Sequence, residues 1–182
     1  MIKHDLHNEV ARCFEEIIKT KSTMILVEKD HACGGNKNLP FFLTDEARND
    51  TEITNVDVMI VNTTKKTVKL ICEIEESDIK PIRTFGKVFV VIASKMCKLK
   101  CGEKYLTDEN GIFIQVLSNR GLKKDLSKKP KQGANIEKSI NTIIKSNGSW
   151  IKEYHLIYGE VGEFIPGKVG YREIEKIIRN LN

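Results

Sequence analysis

The chain lacks the features that would place it in a membrane or outside the cell. None of its apolar runs approaches the roughly 20 residues that a membrane span requires, and nothing at its amino terminus resembles a signal peptide. Its five cysteines are an odd number and fall mostly within apolar patterns, which indicates buried, reduced thiols. We therefore expect a soluble, cytoplasmic protein.

Two common kinds of site have little support in the sequence. There is no tight Cys-x-x-Cys pair, so a zinc site would have to combine the looser groups at 31–33 and 97–101. The glycines around 34–35 and 165–170 do not follow the strand-to-helix pattern of a phosphate-binding loop, and turn chemistry explains them better.

The composition fits a small globular enzyme. The chain has 182 residues, of which 40% are hydrophobic, enough for one domain with a substantial core. Its formal net charge is +5, and Lys and Arg outnumber Asp and Glu by 12 to 5 in residues 95–145. This basic middle of the chain is the part expected to face an anionic partner.

Three carboxylates fall inside two apolar segments that predict a β-hairpin. The segments are 55–61 and 68–75, joined by a polar turn. Because strand side chains alternate between faces, Glu73 and Glu75 should point the same way and Ile74 the opposite way. Asp57 lies in the partner segment. Clustered carboxylates repel one another unless a cation lies among them, and their oxygens are the ligands that Mg²⁺ prefers.

A solvated strand edge is the alternative explanation of this Glu-x-Glu pattern, because exposed acids discourage edge-to-edge pairing. The uninterrupted apolar run Leu70, Ile71 and Cys72 instead predicts a strand buried on both faces. Acids at the end of such a strand are costly to bury, and groups in costly positions usually have a function.

These residues resemble the PD-(D/E)XK nuclease superfamily, which includes many restriction endonucleases and recombination nucleases. Asp57 matches the first acid of the motif and Glu73 the second, whereas Glu75 occupies the position of the motif lysine. Some restriction enzymes of this superfamily also carry glutamate there. Lys80 and Lys87 follow closely in the sequence and either supply the missing positive charge or are ordinary surface lysines.

The resemblance implies an α/β fold with a central mixed β-sheet flanked by helices, restriction-endonuclease-like and forming one nuclease-like domain over residues 1–182. It also implies a helix at 87–96, although the β-branched residues there favour a strand. The implied activity is Mg²⁺-dependent endonucleolytic hydrolysis of double-stranded DNA, as in a type II restriction endonuclease acting as a homodimer. Asp57 and Glu73 would bind the metal, and Glu75 would bind a second metal or hold the attacking water.

An amphipathic helix is predicted over residues 5–19 from apolar residues at i, i+3 and i+4 spacing. The resemblance implies that a glutamate of the first helix joins the metal cluster. Glu9 is the first choice and Glu16 the competitor, and a solvated glutamate on the helix flank is the alternative.

The basic segment 118–139 is expected to be a loop that contacts DNA ahead of a helix at 135–145. Lysines near phosphates give salt-sensitive affinity that is blind to sequence, although lysine-rich loops are often only solvating. The candidate contacts are Arg120, Lys123, Lys124, Lys128 and Lys129.

Three other functions remain open at this level. The chain could be a repair or recombination nuclease that recognises DNA structure, a non-catalytic nucleic-acid-binding module that keeps the nuclease fold, or a metal-binding structural protein with no DNA partner.

Overall fold

The computed structural model describes residues 4–20, 24–76, 80–119, 129–179 and 181. Within these residues the chain forms four helices and eight strands. The helices are α1 (Asp5–Lys19), α2 (Pro81–Ala93), α3 (Lys129–Ser146) and α4 (Val169–Ile178). The strands are β1 (Ile25–Lys29), β2 (Pro40–Phe42), β3 (Glu52–Asn55), β4 (Val58–Asn62), β5 (Thr67–Glu75), β6 (Met96–Lys98), β7 (Lys104–Leu117) and β8 (Ile151–Tyr158).

The eight strands of the described chain form one mixed sheet. Its order is β1-β4-β5-β7-β6-β2-β3, and β8 also pairs with β7. Strand β7 runs parallel to both β5 and β8, whereas the other pairs are antiparallel. This arrangement confirms the predicted α/β class with a mixed sheet flanked by helices.

Helices cover both faces of the sheet, because the central strands are apolar on both sides. On one face, Cys72 lies in a hydrophobic cluster with residues of α1 and α4, including Phe14 and Ile174. On the other face, Ile71 lies in a second cluster with residues of α2 and α3, including Val88. The prediction that β5 is buried on both faces is confirmed, since only its two end residues are partly exposed.

The predicted hairpin is present as the antiparallel pair β4 and β5. The turn between them includes Lys66 in the left-handed region, with a φ of 53°. One detail of the prediction is wrong: Asp57 does not lie within the partner strand but in a bend immediately before β4 begins at Val58. Its position outside the strand frees Asp57 to turn toward the end of β5.

The helix expected after the acidic strand is present as α2, but it spans Pro81–Ala93 and not 87–96. Proline occupies the first turn of this helix, where its missing N–H costs nothing. Thr84, Val88 and Val91 are buried at helical spacing against the sheet. Docking of this apolar face therefore outweighs the strand preference of the β-branched residues, and the strand β6 starts only at Met96.

The predicted boundary between the basic loop and the following helix also changes. Helix α3 begins at Lys129, so residues 129–134 are helical and not part of a loop, consistent with proline being tolerated in a first helical turn. Strand β7 is long because its first residues, from Lys104, pair with β6 before the rest pairs with β5 and β8. In the described part of the chain, no helix is long and apolar enough to cross a membrane.

Candidate active site

Two glutamates project from the carboxyl end of β5 onto the face covered by α2. Glu73 and Glu75 both line a cleft there, whereas the Ile74 side chain packs into the core on the opposite face. Glu73 is only 3% exposed, while Glu75 is partly exposed. The alternation of strand side chains predicted this arrangement, and the end of β5 places it at an accessible edge.

Asp57 reaches the same end of β5 through the backbone. Because Val58 pairs with Cys72, the residue before β4 lies beside the stretch that follows Cys72. The Ile74 N–H donates a hydrogen bond of 2.6 Å to Asp57 Oδ2. Burial raises the pKa of Asp57, and this effect exceeds the opposing influence of the Ile74 N–H.

Lys87 places a positive charge directly beside Glu73. Its Nζ, carried by α2, contacts Glu73 Oε2, and the Lys87 side chain is 41% exposed. Burial would lower the pKa of Lys87, but attraction by Glu73 raises it overall. A lysine of α2 therefore meets Glu73, whereas residue 75, two positions farther along β5, is a glutamate.

The other oxygen of Glu73 is unusual. Glu73 Oε1 is buried and has no hydrogen-bond partner among the described residues. Burial and the nearby Asp57 raise the pKa of Glu73 to about 8, because together they outweigh the attraction of Lys87. A buried carboxylate oxygen without a partner is costly, and a bound cation is one way to satisfy it.

The wall of the cleft is basic. Lys80 and Arg83 at the start of α2 and Lys87 in its middle line the same cleft as the acids, and Arg83 Nη1 lies 3.9 Å from Glu75 Oε2. Gln115 of β7 lies beside Glu73 in the parallel register, and its Oε1 accepts a hydrogen bond of 2.6 Å from the Tyr154 hydroxyl. Gln115 is thereby fixed with its amide group in the cleft. A cleft that holds both acids and cations suits an anionic substrate that brings or meets a metal ion.

His7 is one of the site residues that sequence reasoning missed. It lies on the buried face of α1, with Nδ1 at 2.8 Å from Glu76 Oε1 and Nε2 at 3.8 Å from Asp57 Oδ2. The only sequence signal was its position next to Leu6 in the apolar stripe, where a histidine is out of place. His7 therefore links Asp57 to the residue that follows β5.

Glu9 does not join this group. Its two carboxylate oxygens accept backbone hydrogen bonds from Gly162 and Phe164 at 2.8 to 2.9 Å. The carboxylate thus holds the loop before α4 against α1. We leave Glu9 out of the candidate metal ligands on this ground.

The predicted acids fit a magnesium ion only in part. Among the described residues, Asp57, Glu73 and Glu75 do not form a group of ligand atoms within 4.8 Å of one another. Mg²⁺ nevertheless often binds through only one or two carboxylates and keeps several waters. Asp57 and the unpartnered oxygen of Glu73 meet that requirement, with Glu75 farther out along the same face.

The predicted DNA contacts fall largely beyond what the structure describes. Arg120, Lys123, Lys124 and Lys128 lie outside the described residues, and Lys129 is described only as the first residue of α3. Their contact with DNA stays a prediction.

Comparison with known proteins does not identify a relative. No family model matches the chain, and neither a curated protein nor a solved structure does so.

Proposed function

We propose that this chain is a Mg²⁺-dependent endonuclease that hydrolyses phosphodiester bonds of double-stranded DNA in the cleft at the end of β5. The observation that carries the proposal is the buried Glu73 carboxylate, which has Lys87 on one oxygen and no described partner on the other. Its neighbour Asp57 supplies the second acid. The helix after the acidic strand and the sheet around it support the restriction-endonuclease-like subtype.

Asp57 and Glu73 would hold the ion. When bound, Mg²⁺ would screen the phosphate charge and lower the pKa of a water molecule. Ionised Glu73 is required for this role, and a divalent cation favours that form over the protonated one. Lys87 fixes the orientation of Glu73 through Oε2, and Oε1, which has no described partner, would be the oxygen that binds the ion.

The remaining residues of the cleft would position the substrate. Lys80 and Arg83 present positive charge at the cleft wall, where they attract the phosphate backbone. The Gln115 amide, held by Tyr154, is available to donate to a phosphate oxygen or to the attacking water. Glu75, partly exposed at the mouth, would orient that water or contribute to a second ion.

Plasmid cleavage tests this proposal. Glu73→Gln removes the charge with little change in volume, and we expect it to abolish cleavage in the presence of Mg²⁺. Glu28→Gln is the matched control, because Glu28 is also a buried strand glutamate paired with a lysine, Lys37, at 2.7 Å, yet does not line the cleft. Cleavage retained by the Glu73 variant, or lost equally in the Glu28 variant, would contradict the proposal.

The form of the product separates the functions that the sequence left open. Discrete bands indicate a restriction enzyme, and a smear indicates a nonspecific or structure-selective nuclease. Plasmid that is retarded but intact indicates a non-catalytic binding module, which is the second candidate because Asp57, Glu73 and Glu75 do not converge as closely as a complete ligand set. Intact, unretarded plasmid would remove DNA as a partner.

We further propose that the chain acts as a homodimer, since a two-fold dimer cuts both strands at a symmetric sequence most simply. Replacing Lys123, Lys124, Lys128 and Lys129 together should weaken DNA binding and reduce its dependence on salt while leaving metal affinity unchanged. Light scattering that reports a monomer on DNA would rule out the dimer, and the proposed cleavage mechanism would remain unaffected.

A further inference from the structure

A second group of potential metal ligands lies beside the cleft, where α1 meets the end of β5. His4, His7 and Glu76 each place one ligand atom so that all three lie within 4.8 Å of one another. His4 and His7 stand three residues apart at the start of α1, on the same side of the helix, with ring centroids 5.2 Å apart in an edge-on arrangement. Glu76 approaches from the residue that follows β5.

The burial of these groups suits a site that is closed on one side and open on the other. The His7 side chain is 11% exposed and that of Glu76 is 30% exposed, so solvent reaches the group from the Glu76 side. Two imidazoles and one carboxylate are therefore gathered at one point.

The composition of the group differs from that of the acid cleft. Carboxylates and water suit Mg²⁺, whereas imidazole nitrogens suit zinc, cobalt and nickel. Three protein ligands with an open position are a common zinc arrangement. His7 alone would be enough to support Asp57, because its two ring nitrogens already face Asp57 and Glu76. That role leaves the convergence of His4 unexplained.

We propose that His4, His7 and Glu76 bind a divalent transition-metal ion of the zinc, cobalt and nickel class. Asp57 Oδ2, 3.8 Å from His7 Nε2, would then lie just outside the ligand set and orient the His7 ring. The site ties the start of α1 to the segment after β5. It does not depend on the proposed nuclease activity.

Metal binding by the full chain tests the proposal. The protein is freed of metal with a chelator and titrated with Co²⁺ alone, followed by visible absorption, and then with Zn²⁺ by calorimetry. Excess Mg²⁺ is present throughout so that the acid cleft does not compete. A Cys101→Ser background removes the exposed thiol; the other four cysteines are buried.

The decisive variant is His4→Ala. The His4 side chain makes no capping hydrogen bond to α1, so its removal should leave the fold intact, which circular dichroism will check. We expect one ion per chain and an affinity at least about tenfold lower in His4→Ala. His155→Ala is the matched control, because His155 also pairs with a glutamate, Glu153, at 3.1 Å, and it should bind as the unchanged protein does.

A third variant separates this site from the cleft. Glu73→Gln should keep full Co²⁺ and Zn²⁺ affinity even where it abolishes cleavage. The proposal is overturned if the unchanged protein shows no saturable binding or if His4→Ala binds equally well. Loss of binding in Glu73→Gln alone would place the ion in the acid cleft and overturn it too.

Discussion

Replacing Lys87 by methionine tests the charge interaction between Lys87 and Glu73 in the cleft. The variant keeps an apolar stem of similar length but removes the ammonium group from Glu73 Oε2. Glu73 is 3% exposed and its other oxygen has no described partner. The substitution therefore leaves a buried carboxyl group without its cation.

The size of the effect follows from the exposure of the two partners. Removing one partner of a fully buried ion pair typically costs about 3–5 kcal/mol, whereas an exposed pair contributes at most about 1 kcal/mol. Lys87 is 41% exposed and Glu73 is almost fully buried, so this pair lies between the two limits. We expect Lys87→Met to lower the free energy of unfolding by roughly 1–3 kcal/mol where Glu73 is ionised.

The loss should depend on pH. The pKa of Glu73 is raised from 4.5 to about 8 in the folded protein. The stability that Glu73 contributes is therefore fully present below its pKa in the unfolded protein, and it is lost as the pH rises through about 8. Below that range protonated Glu73 needs no cation, so the variant should lose less than about 1 kcal/mol at about pH 5. Above about pH 8, Glu73 is a buried carboxylate without its cation, and the variant should show the whole loss of roughly 1–3 kcal/mol.

Urea denaturation with a chelator present, at about pH 5 and about pH 9, measures both values. The control is the double variant Glu73→Gln with Lys87→Met, in which the growth of the loss with pH should disappear because the titrating group is gone. An equal loss for Lys87→Met at both pH values, or the same growth in the double variant, would refute the reasoning.

Three further changes test other parts of the structure. Glu75→Lys should reduce Mg²⁺-dependent plasmid cleavage at least about tenfold, because it replaces a carboxylate with a competing cation; undiminished cleavage would show that this position does not matter. Gly111→Ala places a Cβ 2.3 Å from the Trp150 ring and should lower the unfolding free energy by about 1–3 kcal/mol, whereas Gly86→Ala, which meets nothing within 4 Å, should be neutral or stabilising in thermal melts. Glu9→Gln weakens two charged hydrogen bonds to the loop before α4 and should cost about 1–2 kcal/mol by urea denaturation, with no stability change being the contrary result.

The sequence by itself determined the local features of this protein. The alternation of strand side chains specified that Glu73 and Glu75 share one side of β5, and the helical spacing of 5–19 specified the buried face of α1. These patterns are predictable because the alternation of side chains depends only on neighbouring backbone geometry. The mixed sheet flanked by helices followed from the resemblance and is present.

Only the tertiary structure decided which distant groups meet. Lys87 lies 14 residues from Glu73 and His7 lies 69 residues from Glu76, and neither contact has a periodic signal. Both depend on how α2 and α1 dock on opposite faces of the sheet, which is set by packing of their apolar sides. Glu9, by contrast, was predicted from the sequence to join the metal ligands, but the docking of α1 places its carboxylate against the 162–164 loop. Contacts between elements arise from the summed packing of whole surfaces, so the sequence pattern of one segment cannot specify them.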